Sequence, residues 1–99
     1  MFLDQKLEAL YAHEKGAHRV DPPVLEAFFE VVAAVQAAKS PQDLRALKSL
    51  HYEKLKGDRK GDRSLRLHKG WRLIVREKRD GQGMYIEIVD IDDYHRRER

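Results

Sequence analysis

Cysteine is absent from the chain, which excludes a disulfide scaffold, a thiolate zinc site and a cysteine nucleophile. No apolar run approaches the roughly 18 residues that mark a membrane-spanning helix, and no signal peptide opens the sequence. A soluble, cytoplasmic protein without a membrane partner is therefore expected. Aromatic residues are scarce at 8%, and Tyr52, Tyr85 and Tyr94 are the candidates for stacking on bases, so the sequence does not read as an aromatic-platform RNA binder. The five histidines show no zinc-type spacing, and Gly57 and Gly61 bracket a turn rather than a phosphate loop. Neither a metal nor a cofactor is expected. No repeat, low-complexity segment or internal linker interrupts residues 1–99, which read as one domain.

Charge is what the sequence has in excess: 37% of residues, against roughly 25% in an average globular domain. The net +3 conceals its distribution. Residues 1–47 carry 5 basic and 7 acidic side chains, and residues 48–99 carry 15 and 10. Within 54–79 there are 11 basic residues against Asp58, Asp62 and Glu77, a local +8 of the kind that attracts polyanions by counterion release. A surface rich in ion pairs is the other reading of the same composition.

The period of the apolar residues changes midway. Asp4 is placed to cap a helix carrying Leu7, Leu10 and Tyr11, with Gly16 beyond its end. Asp21, followed by Pro22 and Pro23, opens a longer helix whose apolar face runs from Val24 to Val35 and which extends to about Ala38. Ser40 and Asp43 restart a short helix with Leu44 and Leu47 facing inward. Strand-like alternation then occupies His51–Lys56, Ser64–His68, Trp71–Arg76 and Met84–Val89, separated by glycine-bearing turns. Helices followed by a meander give an α+β fold, with N-terminal helices packed on one face of a small antiparallel β-sheet. Strand parity sends Leu55, Leu65, Leu67, Trp71, Leu73 and Val75 inward. It leaves Lys54, Lys56, Arg66, Arg72 and Arg76 on the uncovered face, provided no bulge shifts the register.

Leu55-Lys56-Gly57-Asp58-Arg59-Lys60-Gly61, followed by Ser64-Leu65-Arg66-Leu67, Trp71-Arg72-Leu73-Ile74 and a closing Asp93-Tyr94-His95, resembles the HigB branch of the RelE/ParE toxin superfamily. The likeness spans roughly residues 20–95. It implies a RelE-like microbial RNase fold and the toxin of a type II toxin–antitoxin pair. It also implies a cognate antitoxin, HigA-like with a helix-turn-helix, through which alone operator DNA is met. Members of this branch cleave mRNA in the ribosomal A site, so ribosome and mRNA are implied partners. The family's catalytic set is matched best at Arg72, Tyr94 and His95, and by neighbourhood at Arg66, Lys54 and Lys56. Either Asp90 or Asp93 stands for the family aspartate, and Glu53 and Lys54 occupy the place where some relatives carry a histidine.

Without a metal cluster, RNA cleavage has to employ the substrate's own 2′-hydroxyl, with a base, cationic donors for the phosphate and an acid for the leaving 5′-oxygen. Arg72 suits charge stabilisation because guanidinium donates paired hydrogen bonds to phosphate, and Arg66 assists. His95 and Tyr94 supply the acid and base in either order. Lys54, Lys56, Arg59, Lys60 and Arg76 hold the RNA backbone. Arg72 as an ion-pair partner of Glu87 is the structural alternative. At the level of function the alternatives are a ParE-like inhibitor of DNA gyrase, against which Tyr94, His95 and the basic set argue, and a non-catalytic module that binds RNA or an antitoxin.

Overall fold

The structure is a computed structural model describing residues 2–57 and 61–93. Helix α1 (Gln5–His13) begins where expected, the Asp4 carboxylate accepting from the Lys6 and Leu7 amides at 2.7 and 3.4 Å. It ends two residues before Gly16, at Glu14 in the left-handed region (φ +54°). Helix α2 (Pro22–Ala37) buries Val24, Phe28, Val31, Val32 and Val35, the face its periodicity predicts. Asp21 makes no capping bond with its side chain: Pro23 removes the N–H of the second helical position, and the carboxylate does not take up the remaining donor at Val24. In α3 (Pro41–Ala46) Ser40 likewise leaves its side chain uncapped, and Asp43 reaches back one residue further than a capping box, to the Lys39 amide at 2.8 Å. Leu44 is fully buried, but Leu47, expected inward, is 48% exposed because the helix has already ended at Ala46.

Four strands form an antiparallel meander in the order β1 (Glu53–Lys54), β2 (Arg63–His68), β3 (Trp71–Asp80) and β4 (Gly83–Asp93). The expected first strand contracts to two residues, since a 3₁₀ turn, Lys48–Leu50, and a left-handed His51 (φ +47°) precede it. β3 and β4 run longer than their alternation suggested. At the outer edge of β4, Phe2 makes a parallel bridge to Ile88, and the Leu3 amide donates to the Ile88 carbonyl at 2.8 Å.

The core lies between the helices and one face of the sheet. Phe28, Val31, Val32, Val35 and Leu44 meet Leu65, Leu73, Val75, Ile86 and Ile88, with Leu7 and Leu10 closing one side. Tyr11 packs on Phe2, Phe28 and Phe29 with ring centroids 5.7–6.3 Å apart, and its hydroxyl donates to Gln36 at 3.2 Å, tying α1 to α2.

On the same side of the sheet Tyr52, counted above as a stacking candidate, is occupied. Its hydroxyl donates to Glu77, which also pairs with Arg63 (3.5 Å), while Arg45 of α3 sits over its ring at 5.4 Å. Burial, followed by the hydrogen bond and charge of Glu77, pushes the phenol well above its ordinary range. The folded chain therefore retains a proton that the unfolded chain releases above about pH 10, so this contribution to stability is present below that pH and fades as pH rises towards the folded value. Tyr52→Phe is expected to cost about 1–2 kcal/mol in urea unfolding at pH 7 and to flatten the loss of stability above about pH 10.

Candidate functional site

Two bulges decide which side chains share the uncovered face. Leu67 has no partner between the pairs Arg66↔Arg72 and His68↔Trp71, and Val89 has none between Ile74↔Asp90 and Val75↔Ile88. Each adds a residue to one strand and reverses the parity beyond it. Arg66, Arg72 and Arg76 keep their expected place on the open face. Lys54 does not: it pairs with Arg63, in the row of Val75 on the helix side, and Glu53 takes the open position opposite Ser64. The left-handed His51 and the brevity of β1 set this phase, which the sequence alternation had one residue out. Lys56 is exposed beyond the end of β1. Arg59, Lys60, Tyr94 and His95 lie outside the described residues.

The open face is also far from uniformly cationic. Glu87 stands opposite Arg76, Asp90 opposite Ile74 and Asp92 opposite Arg72, with Glu53 in the row of Ser64. Arg76 is engaged at 2.6 Å with the buried carboxylate of Asp62; that hydrogen bond, and the charge behind it, raise the guanidinium pKa further. The cross-sheet partner of Arg72 is thus Asp92, not Glu87, which faces Arg76.

Arg72 is held on several sides. Its Nε donates to the Ser64 hydroxyl at 2.7 Å, its Nη2 donates to the His51 carbonyl at 2.6 Å, and Glu53 Oε2 lies 3.8 Å from Nη2. Ser64 is fully buried, and the Arg72 side chain is only 14% exposed. Directly across the β2–β3 ladder stands Arg66, exposed and without a hydrogen bond or ion pair among the described residues. Two arginines facing each other repel, so the arrangement costs stability unless an anion bridges them. One guanidinium is held by three contacts and the other is exposed: a phosphate would meet a fixed donor and a solvent-facing one.

Three contributors escaped the sequence reading. Ser64 was seen only as part of a motif, His51 acts through its main-chain carbonyl, and Glu53 brings a 60% exposed carboxylate beside Arg72. The signal for Glu53 was its position, two residues ahead of Leu55-Lys56-Gly57 where some relatives have a titratable side chain. Among the described residues no group of three His, Asp or Glu side chains is placed to hold a metal ion, and no helix is long and apolar enough to cross a membrane.

Helices on one face of a short antiparallel meander give the α+β arrangement of a RelE-like toxin fold. The fold is similar to that of the YoeB/ParE toxin from Agrobacterium tumefaciens, with a TM-score of 0.50 over 90% of this chain and 86% of that one at 17% identity. The family model of HigB, the RelE-like toxin of a type II toxin–antitoxin system, matches residues 1–95. Over 74 residues the chain is 38% identical to Toxin HigB-1 of Vibrio cholerae, covering 74% of this chain and 77% of the relative. The chain belongs to the HigB-like family of RelE-like toxins from type II toxin–antitoxin systems, and membership implies a cognate antitoxin.

Proposed function

We propose that this toxin is a metal-independent endoribonuclease that cuts mRNA on the translating ribosome. The observation that carries the reading is the Arg72 clamp, with the unpaired Arg66 across the ladder and the Glu53 carboxylate 3.8 Å away. Arg72 stabilises charge developing on the scissile phosphate, and Arg66 closes on the same group from the other side. Glu53 takes the proton of the 2′-hydroxyl as that oxygen bonds to phosphorus. The P–O5′ bond breaks, and the 5′-oxygen takes a proton from His95 or Tyr94, leaving a 2′,3′-cyclic phosphate and a 5′-hydroxyl. Lys56, Arg59 and Lys60 contact the backbone beside the site, whereas Lys54, turned to the helix side of the sheet, does not take the part expected of it. Arg76, already bonded to Asp62, contributes less than its charge suggests.

The site lies on an open sheet face, which supports dependence on the ribosome to complete its walls and present the message. The chain acts as one domain in the cytoplasm, with a HigA-like helix-turn-helix antitoxin that alone contacts operator DNA. Mapping 5′ ends of an mRNA translated with and without the purified protein tests the reading. New 5′-hydroxyl ends that appear only during translation are expected, with gyrase supercoiling unchanged. Intact message beside inhibited gyrase would make it a ParE-like inhibitor, and intact message with both activities absent would leave a non-catalytic binding module.

A further inference from the structure

Trp71 reads from the sequence as a core residue, yet it is only half-buried, and the reason is the bulge at Leu67. The extra residue turns His68 into the row of Trp71, and the left-handed Lys69 (φ +52°) closes the turn beside them. Against this hairpin end lies the start of α2. Between them is a cavity of about 330 Å³ lined by Trp71, His68, Pro22 and Pro23, with Asp21 and Lys69 among its charged residues. The rings of Trp71, His68 and the two prolines share its walls with Val24 and Gly70. The exposed Asp21 carboxylate makes no capping bond to α2, so its acceptor oxygens are available at the mouth of the cavity.

We propose that this cavity binds a nucleobase of the RNA, stacked on the Trp71 indole, with Asp21 accepting from the base's amino or imino groups and Lys69 donating to its carbonyl. The proposal deepens the endonuclease reading and rests on it for the identity of the strand. Trp71 and Arg72 are neighbours on β3 with opposite parity, so the cavity and the Arg66–Arg72 pair flank one hairpin end. A single strand whose phosphate sits on the arginines reaches the cavity by passing over the Lys69–Gly70 turn. A cavity of about 330 Å³ with several rings in its lining, an acceptor at Asp21 and a donor at Lys69 fits a base better than a peptide helix, which needs a longer apolar groove. Such a site would let the enzyme favour certain bases beside the cut.

Trp71 is the sole tryptophan, so its fluorescence reports on the cavity alone. The full chain is titrated with the four ribonucleoside 3′-monophosphates, exciting at the red edge where bases absorb little, with ribose 5-phosphate as the base-free control. Saturable quenching is expected, differing among the bases and absent with the sugar phosphate. Asp21→Asn, an exposed change, should weaken the preferred base roughly tenfold and reorder the bases found beside the cut, while cleavage itself persists. Quenching by none of the mononucleotides, or equally by ribose 5-phosphate, overturns the proposal. So does an unchanged base order in Asp21→Asn, and so does shielding of Trp71 from acrylamide by the purified cognate antitoxin without any response to nucleotides. The two readings fail separately: a chain that cuts translated message but ignores every base at Trp71 refutes the cavity alone. One that binds bases at Trp71 and leaves translated message intact refutes the endonuclease alone.

Discussion

Arg72→Ala is expected to lower translation-dependent mRNA cleavage by about 10²–10³-fold, the usual effect of removing one preorganised donor from a charge-stabilising site. The basis is that the guanidinium costs nothing to orient at the moment of reaction, being already bonded to Ser64 and to the His51 carbonyl. Arg72→Lys should rescue little, because an ammonium cannot satisfy Ser64 and His51 together and still present a planar edge to phosphate. Ser64→Ala offers a milder version of the same test. It removes the acceptor for Nε without touching the charge, so about a tenfold loss confined to kcat is expected, with ribosome affinity retained. His51→Asn should be close to silent, since asparagine tolerates the left-handed backbone and offers the same carbonyl. Cleavage by Arg72→Ala at the wild-type rate would move the chemistry elsewhere on the protein.

The second large effect is expected at Glu53. If its carboxylate takes the 2′-hydroxyl proton, Glu53→Gln should reduce kcat by about 10²–10⁴-fold and leave KM nearly unchanged. If instead the carboxylate only neutralises Arg72, the same substitution frees the guanidinium and should tighten phosphate binding with the rate preserved or raised. The two outcomes have opposite signs. Single-turnover cleavage of a programmed ribosome complex, with toxin binding measured separately, distinguishes them. Stability is not a confounder, since the side chain is 60% exposed and its contact to Arg72 is long at 3.8 Å.

The legible part of the fold was what depends on side-chain periodicity. The apolar face of α2 and the inward set Leu65, Leu73 and Val75 follow from which residues can leave water, and that information is local. What could not be read were backbone decisions. An extra residue at Leu67 or Val89 leaves no mark on composition, yet each reverses parity for everything beyond it, which is how His68 came to face Trp71. The phase of β1 turned on a left-handed His51, an unusual backbone for a residue of that type, and so Lys54 and Glu53 exchanged faces. The missing Asp21 cap was not legible either, since Pro22 and Pro23 leave the Val24 N–H as a donor that the carboxylate does not use.

The candidate site was legible as a neighbourhood and less so as an arrangement. Arg66 and Arg72 stand where alternation placed them, directly opposite each other. The dense cationic window at 54–79 ended short of Glu87, Asp90 and Asp92 and began just after Glu53, so these four carboxylates of the same face lay outside it. Charge counted along the chain differs from charge counted across a sheet, because neighbouring strands bring together residues that no window contains.

Phe2 adds a last consequence through its bridge to Ile88. Phe2 docks on β4, 86 positions further along the chain, so this edge of the sheet cannot be sealed before β4 has been made. The meander from β1 to β3 pairs neighbour with neighbour and can zip as it emerges, whereas the N-terminal segment has to wait. Order of synthesis and order of assembly are thus out of step at one point in the molecule.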